Sequence, residues 1–566
     1  MEAIGTAIVA AGNWIAGALT GINPAMFGPL QAGQSYALSN AIAWTATAII
    51  TGVPLYFASQ AMMPKMATML GRTDTIRSPI QSRKIIYGKT VVGGTILYIS
   101  ESEFGGNIDR GNLYVLLAIA GHEVEAYETV FFDGEPLTIV NGQVEGPNRY
   151  YPDPSSGDHY ANIDTSMRGQ SGQTQNSNFV TYTDLTAADT FDGIACIPMI
   201  LGYNQTIFVN GIPNLTVSCK GAKLFDPRDN STSWSDNPAL AIRDYLTNTQ
   251  YGLSVPAARI DDTTFSSAAN LCDELVTLDD GSTQKRYTCN GVIDTASTFQ
   301  DNLETLTSAL AGNLTYSGGK FKLYGGEWRA PSANITESDL IATVDIHTKN
   351  SRRDQFNTVR GIFVGAETDN IPADYPTITN SGYVSEDSEV LEKEMPLPMT
   401  NSAVECERIA KIHLERNRRQ IVLSLQLSLK QFALEPLQVV NVTFPSLGFN
   451  NKTFEVIGWQ LDTVGQAVGV SVTLKETDAQ VYGWTSAEEI GFTQTSAPTA
   501  TNYMDVATPA SSITVVSTTG EDGTIQDVLE VTITDNPNDP HQIEYDVYYK
   551  ENTETNFETI SALRDV

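Results

Sequence analysis

Positive charge is scarce in this chain. Across 566 residues Lys and Arg number 34 against 66 Asp and Glu, a formal net charge of −32. A surface of that sign repels phosphate, which argues against a role in wrapping nucleic acid and suits a wall that DNA slides past. No Lys or Arg precedes Lys65, and Glu2 stands where a secretory signal would carry its basic region. Cysteine is sparse too. Cys196, Cys219, Cys272, Cys289 and Cys406 make no C-x-x-C and no zinc-like spacing with the five histidines, so they read as reduced, buried thiols made in a reducing cytoplasm. Cys272 and Cys289 flank a turn signal at Asp279-Asp280-Gly281, which leaves a cross-strand disulfide open beside plain core cysteines.

Catalytic signatures are also missing. Gly121-His122-Glu123-Val124-Glu125 shares two letters with a zinc-protease helix, but Ala126 stands four residues after His122, which makes that histidine a surface or loop residue. Asp153, Asp158, Asp164, Asp261 and Asp262 fall in loop-like text with no spacing for an acid/base pair. There is no G-x-S-x-G elbow and no calcium loop, and Gly318-Gly319 and Gly325-Gly326 flank a hairpin pattern, not a strand-to-helix phosphate loop. Arg352-Arg353 and the Arg416, Arg418, Arg419 group are too few to build a nucleic-acid groove against this charge. Neither a catalytic residue, a metal ligand nor a cofactor site emerges.

What is present is apolar residues at 41% and enough length for about four domains. Residues 1–70 form an apolar N-terminal segment, expected to be helical and broken by Pro24, Pro29 and Pro54. Three readings of it stay open: helices packed inside an assembly, membrane-active helices set free on triggering, and resident anchors. Residues 71–255 read as a first β-domain. Within it Gly93-Gly94 could make a tight turn between two strands spanning Arg83 to Ile99, Asp133-Gly134 signals a hairpin, and 142–183 is a polar surface excursion. Residues 256–345 alternate helix, strand, helix and hairpin, an α+β domain. Residues 346–485 read as a second β-domain with one helix over Asn401 to Arg418. A Thr/Ala/Ser/Pro-rich linker at 486–512 precedes the first strands of a partial fibronectin type III-like sandwich at 513–566, and the natural chain is expected to continue past Val566.

The stretch from Gly211 to Gly252 organises the rest. Leu215, Val217 and Cys219 alternate with polar residues as a half-buried strand does, and Asp226-Pro227-Arg228-Asp229-Asn230 is turn chemistry. Ser235-Asp236-Asn237 offers an N-cap, Pro238 suits the first helical position, and a helix follows over Ala239 to Thr247. Gly252 could close the segment in the left-handed region. The wording is less ordinary than the pattern. Gly211-Ile212-Pro213, Lys223 to Arg228, Trp234 to Ala239, Arg243-Asp244-Tyr245-Leu246 and Tyr251-Gly252-Leu253 follow in one order, and the run resembles the tip attachment protein J family, the central tail hub and fibre proteins of lambda-like long-tailed phages. Arg83 to Ile99, RYTCNGVI at 286–293 and YSGGKFKLYGG at 316–326 resemble the same family.

The resemblance implies two tube-like β-barrel domains around an inserted α+β domain, no enzymatic activity, and a signature set of Tyr87, Gly88, Gly93, Asp226, Pro227, Arg228, Trp234, Asn237, Pro238, Arg243, Tyr245, Tyr251, Gly252, Cys272 and Cys289. It further implies a homotrimer at the virion tail tip that closes the tube, takes part in host attachment and opens for DNA ejection. Its partners would be distal tail and other tip proteins, the tape-measure protein in the lumen, and a host receptor reached through a distal part absent from this chain. DNA would pass without specific binding, and residues 3–63 would meet a membrane on ejection if the membrane-active reading holds. The rival readings are a tail-borne cell-wall or polysaccharide hydrolase, which needs paired carboxylates or a metal triad in one pocket, and a bacterial multidomain β adhesin.

Overall fold

The computed structural model describes residues 75, 81–103, 111–146, 150, 160–202, 204, 207–208, 211–368, 370–464, 467–492, 512–519, 525–532, 548–549 and 558–559. Expectations for residues 1–70, for Asp153 and Asp158, and for most of the 493–511 linker region and the C-terminal sandwich lie outside them. The fold is mainly β and multidomain, with several sheets and few helices. It divides into one unit ending at Phe492 and a second from Thr493. In the second, Ser512–Thr519 pairs antiparallel with Ile525–Thr532, and Tyr548–Tyr549 with Glu558–Thr559.

The first β-domain encloses its core between two sheets. One runs in the order Thr95–Glu103, Gly111–Ala120, Ala195–Gly202, Ala161–Ile163, Gln143–Glu145, Thr138–Val140; the other runs Lys89–Gly93, Leu215–Lys220, Ala126–Phe132, Glu135–Pro136. Val217 sits opposite Val92 on one side and Val130 on the other, and Leu215, Val217 and Cys219 are all buried, as their alternation predicts. Asp133 (φ 49°) and Gly134 (φ 87°) make the expected hairpin turn.

Two expectations are corrected here. Arg83 to Ile99 holds three strands, not two, and Gly93-Gly94 is no hairpin turn: Lys89–Gly93 joins one sheet and Thr95–Glu103 the other. Gly94 is needed because a Cβ there would lie 3.0 Å from the Leu117 Cβ, so the glycine permits a close crossing between sheets. The polar stretch 142–183 is not a pure surface excursion. It supplies two strands of the six-stranded sheet and the helix Ser177–Tyr182, and it buries Val144, Ile163, Met167 and Phe179. Its apolar residues are too widely spaced to show a period, so the sequence reads as loop although each side chain is used.

The central core is helical. Pro238–Thr247, Asp262–Asp273 and Phe299–Ser308 pack together with the hairpin Asn313–Ser317/Lys320–Tyr324 around Leu240, Phe265, Leu306 and Leu323. The helix Ala403–Arg418 joins this same core through Cys406, Ile409 and Leu414, not the sheet that follows it in sequence. That later sheet runs Ala333–Thr336, Val439–Phe444, Phe449–Val464, Ala467–Glu476, Val422–Ser428, Asp345–His347, around Leu425, Val440, Phe454 and Val472. Residues 486–492, read as linker, pack onto Ala403–Arg418: the Ile490 N–H donates to Glu407 Oε2 at 3.0 Å, and Phe492 meets Phe363 edge-on at 5.5 Å.

Candidate functional site

The signature residues converge on a buried joint between the first β-domain and the helical core. Its seam is the strand Lys84–Tyr87, which leaves the domain's sheets and pairs antiparallel with Gly291–Asp294. The chain then turns at Gly88 (φ +63°), where a Cβ would come 2.0 Å from the Cys289 carbonyl oxygen; only glycine fits. The Gly88 carbonyl accepts from Trp234 Nε1 at 3.2 Å and from the Gly221 N–H at 2.8 Å. Lys220 lies over the Trp234 ring, 5.1 Å from its centroid. Gly93 closes the next strand, and its carbonyl accepts from Lys84 Nζ at 3.2 Å.

The helix Pro238–Thr247 is the other half of the joint. Asn237 caps it, its Oδ1 accepting the Ala239 N–H at 3.0 Å and its Nδ2 donating to the Ala269 carbonyl at 2.9 Å, with Pro238 at the first helical turn. Asp244 points back at the seam. Its Oδ2 accepts two phenols, Tyr87 at 2.8 Å and Tyr251 at 2.7 Å. Burial pushes the Asp244 carboxyl above its ordinary range, against the pull of those bonds. Burial also raises both phenols, which therefore stay protonated and donate. One residue earlier, Arg243 donates through Nε to Asp262 Oδ1 at 2.8 Å and stacks over Phe225 at 4.6 Å. Tyr245 is buried, and its hydroxyl accepts from Asn302 Nδ2 at 2.9 Å. In the preceding turn, which carries Pro227, Arg228 bridges Asp226 at 2.7 Å and Asp273 at 2.8 Å, pinning the turn to the helix Asp262–Asp273.

Two readings change against this geometry, those of Gly252 and His122, and the open question of the cysteines is resolved. Gly252 does not end the helix in the left-handed region; the cap is Asn248 in extended backbone, and Gly252 is required because a Cβ would lie 2.2 Å from the Tyr245 carbonyl oxygen. Cys272 and Cys289 are free and buried, with no disulfide; Cys272 lies on a helix, not on a strand facing Cys289. Burial raises both thiols well above their ordinary range. His122 is in a loop, as read, but it is buried and not at the surface. Its Nε2 accepts the Ile86 N–H at 2.9 Å, which leaves Nδ1 to donate to the Glu123 carbonyl at 2.7 Å and fixes the neutral tautomer. Burial lowers its pKa to about 4. The arginine groups are engaged within the protein: exposed Arg352 pairs with Glu389, Arg418 with Asp387, and Arg416 donates to the Ala311 carbonyl.

A cleft of about 730 Å³ opens beside the joint, reached by His122, Asp244, Tyr251, Lys223 and Asp192. Its polar groups are held by structural bonds: Tyr251 and Tyr87 on Asp244, His122 between two backbone groups, and Lys223 on Glu123 at 2.7 Å. Of the loop carboxylates, Asp261 caps a helix, Asp262 holds Arg243, and Asp164 accepts from Ser166 and Asn176. Among the described residues no group of three or more His, Cys, Asp and Glu could hold a metal, and no helix is long and apolar enough to cross a membrane. The sequence singled out nearly every residue of the joint but gave Asp244 no role of its own and read His122 as a surface or loop residue. Asp244 lies inside the quoted Arg243-to-Leu246 run, and its role was invisible because both phenols come from outside that helix.

Fold and joint together define a structural part, with its polar chemistry spent on holding domains at fixed geometry. No family model matches the chain. It is similar to tip attachment protein J of Escherichia phage SECphi27, at 25% identity over 156 residues. That match covers 25% of this chain and spans 13% of the relative's length. In fold it is similar to a protein in the virion of the native gene transfer agent particle, with a TM-score of 0.51 at 15% identity, covering 81% of this chain and 98% of that one. A tail protein from Neisseria meningitidis MC58 aligns over 70% of this chain and 99% of its own at 12% identity, with a TM-score of 0.28, too low to speak to the fold.

Proposed function

We propose that this chain is a structural component of a phage tail, acting as the hub at the tail tip: it closes the tube, carries the part that meets the host, and opens to release DNA. The observation that supports this most is the local likeness to a tip attachment protein, joined to a virion-type fold that spans nearly all of a gene transfer agent chain. The joint fits such a role. A hub must hold a tube-lining domain rigidly against its neighbours, and buried carboxylate–phenol bonds with close glycine contacts do that without a flexible linker. As a hub the chain would form a homotrimer, meet other tip proteins and the tape-measure protein, and present a wall of net negative charge, 3 × (−32) = −96 for three copies, to DNA that passes without specific binding. The residues read here act as structure, not as catalyst, and residues 3–63 would lie within the particle before ejection.

Analytical ultracentrifugation of the full chain tests the assembly, with a trimer expected at micromolar concentration. A monomer that stays monomeric at high concentration and in the presence of tail-tip partners would rule the hub reading out. Labelled antibody against the chain should decorate the tip of intact particles; decoration along the tube instead would place it elsewhere in the tail.

A further inference from the structure

Residues 484–492 lie along the helix Ala403–Arg418 without joining any strand, held by side chains. Lys411 Nζ donates to Glu488 at 2.5 Å and to the Gly483 carbonyl at 2.7 Å, and the Trp484 ring stands over Lys411 and Arg408 at 5.8 and 5.9 Å. Val481, just before them, is fully buried in the central core and anchors the segment's near end; Phe492 on Phe363 closes its far end. Between these, the Ile490 N–H is bound to a side chain that is itself 0% exposed, Glu407. The other carboxylate oxygen of Glu407, Oε1, is buried with no hydrogen-bond partner.

That orphan oxygen is the telling feature. An ionised carboxylate buried with one oxygen unbonded is far costlier than the neutral acid in the same place. Most charges that face it are engaged elsewhere or of the wrong sign. Glu489, on the strap, accepts the Asp279 N–H; Glu367, from the loop across the helix, accepts the Ala403 N–H. Arg408 donates to the carbonyls of Lys285 and Arg286, Glu405 accepts from Thr288, and Lys411 is taken by Glu488. Arg408 keeps its Nε buried without a partner, yet among the described residues no cation forms an ion pair with Glu407.

We propose that residues 484–492 form a proton-gated clasp: the strap stays seated on Ala403–Arg418 while Glu407 carries a proton, and lets go when that proton passes to solvent. Burial, with Glu489 and Glu367 adding repulsion, outweighs the pull of the Ile490 N–H and of Arg408 and holds Glu407 up to about 7, so the gate lies within reach of neutral solution. The sign follows directly. A carboxyl whose pKa is raised in the seated state favours seating fully below its ordinary value of about 4.5, and that contribution is lost as pH rises from there to about 7. The strap leads in sequence to Thr493, where the second unit begins, so the clasp sets how firmly that unit's connection is held. The clasp depends on the fold alone and stands whether or not the chain sits in a tail.

Hydrogen exchange of the full chain, read by mass spectrometry on peptides covering 484–492 and corrected for intrinsic pH dependence, tests it. Protection should fall by about tenfold for each pH unit between pH 5 and about 6.5, where the released carboxyl is ionised and the seated one is not, and level off above about pH 7.5. Glu407→Gln should hold protection level across the range. Glu488→Gln, which weakens the Lys411 pair and the Thr485 cap while leaving Glu407 untouched, should lower protection by the same factor at every pH. Flat protection in the unmodified chain between pH 5 and 7 overturns the proposal without recourse to a variant, and so does a fall there that persists in Glu407→Gln.

Discussion

Gly88 carries more of the joint than its size suggests. It combines a left-handed φ with backbone 2.0 Å from where a Cβ would sit, so Gly88→Ala must both strain the turn and push Cys289 away. We expect it to destabilise the first unit by about 3 kcal/mol or more, seen as a lower urea midpoint. Asn237→Ala removes a cap and a second buried bond and should cost about 2 kcal/mol by the same measurement. His122 makes stability depend on pH. Unfolded, it takes up a proton near pH 6.5; folded, it resists until about 4, because a protonated Nε2 cannot accept the Ile86 N–H. The unfolded state therefore binds more protons in that window, and stability falls as pH drops from about 6.5 towards 4. Urea unfolding at pH 7 and pH 5 should show a smaller difference for His122→Gln than for the unmodified chain; an equal difference would remove His122 from the account.

At the scale of elements, the sequence was legible wherever one short stretch contained its own explanation. The helix behind Asn237-Pro238, the hairpin at Asp133-Gly134 and the strands of the last sheet all have their signal in neighbouring residues. It failed where the partner is remote. Gly94 and Gly252 looked like turn glycines, and only the approach of Leu117 and of the Tyr245 carbonyl gives their purpose. The 142–183 stretch looked like a loop because its few apolar residues are far apart, yet Val144 and Ile163 enter one core and Met167 and Phe179 another. The cysteines follow the same pattern. Their flanking turn is real, but Cys272 sits on a helix, and all five thiols are buried. A thiol reagent should therefore react with none of them quickly in the native protein and with all five after unfolding in denaturant. Fast native labelling of Cys272 or Cys289 would contradict their burial.

For the whole molecule, the unit boundary at Phe492 and the strap before it give separate expectations. Ending the chain after Phe492 should leave the melting transition of the first unit in place. Ending it after Thr485 should lower that transition by several degrees, since Ile490, Glu488 and Phe492 lose their partners together. Equal melting of the two truncations would show that the strap adds no stability. The joint has one more consequence, for the order in which the chain is made. Strand Lys84–Tyr87 finds its partner at Gly291–Asp294, about two hundred residues later, a closure far slower than any local hairpin. On the ribosome, the β-sheets encoded first must wait with that edge open until the second partner has emerged. Only then can Gly88 settle against Cys289 and Tyr87 reach Asp244. The nascent chain is thus exposed to wrong strand pairing for longer than its early sheets alone would require, and the seam that makes the finished part rigid cannot close before Asp294 has been made.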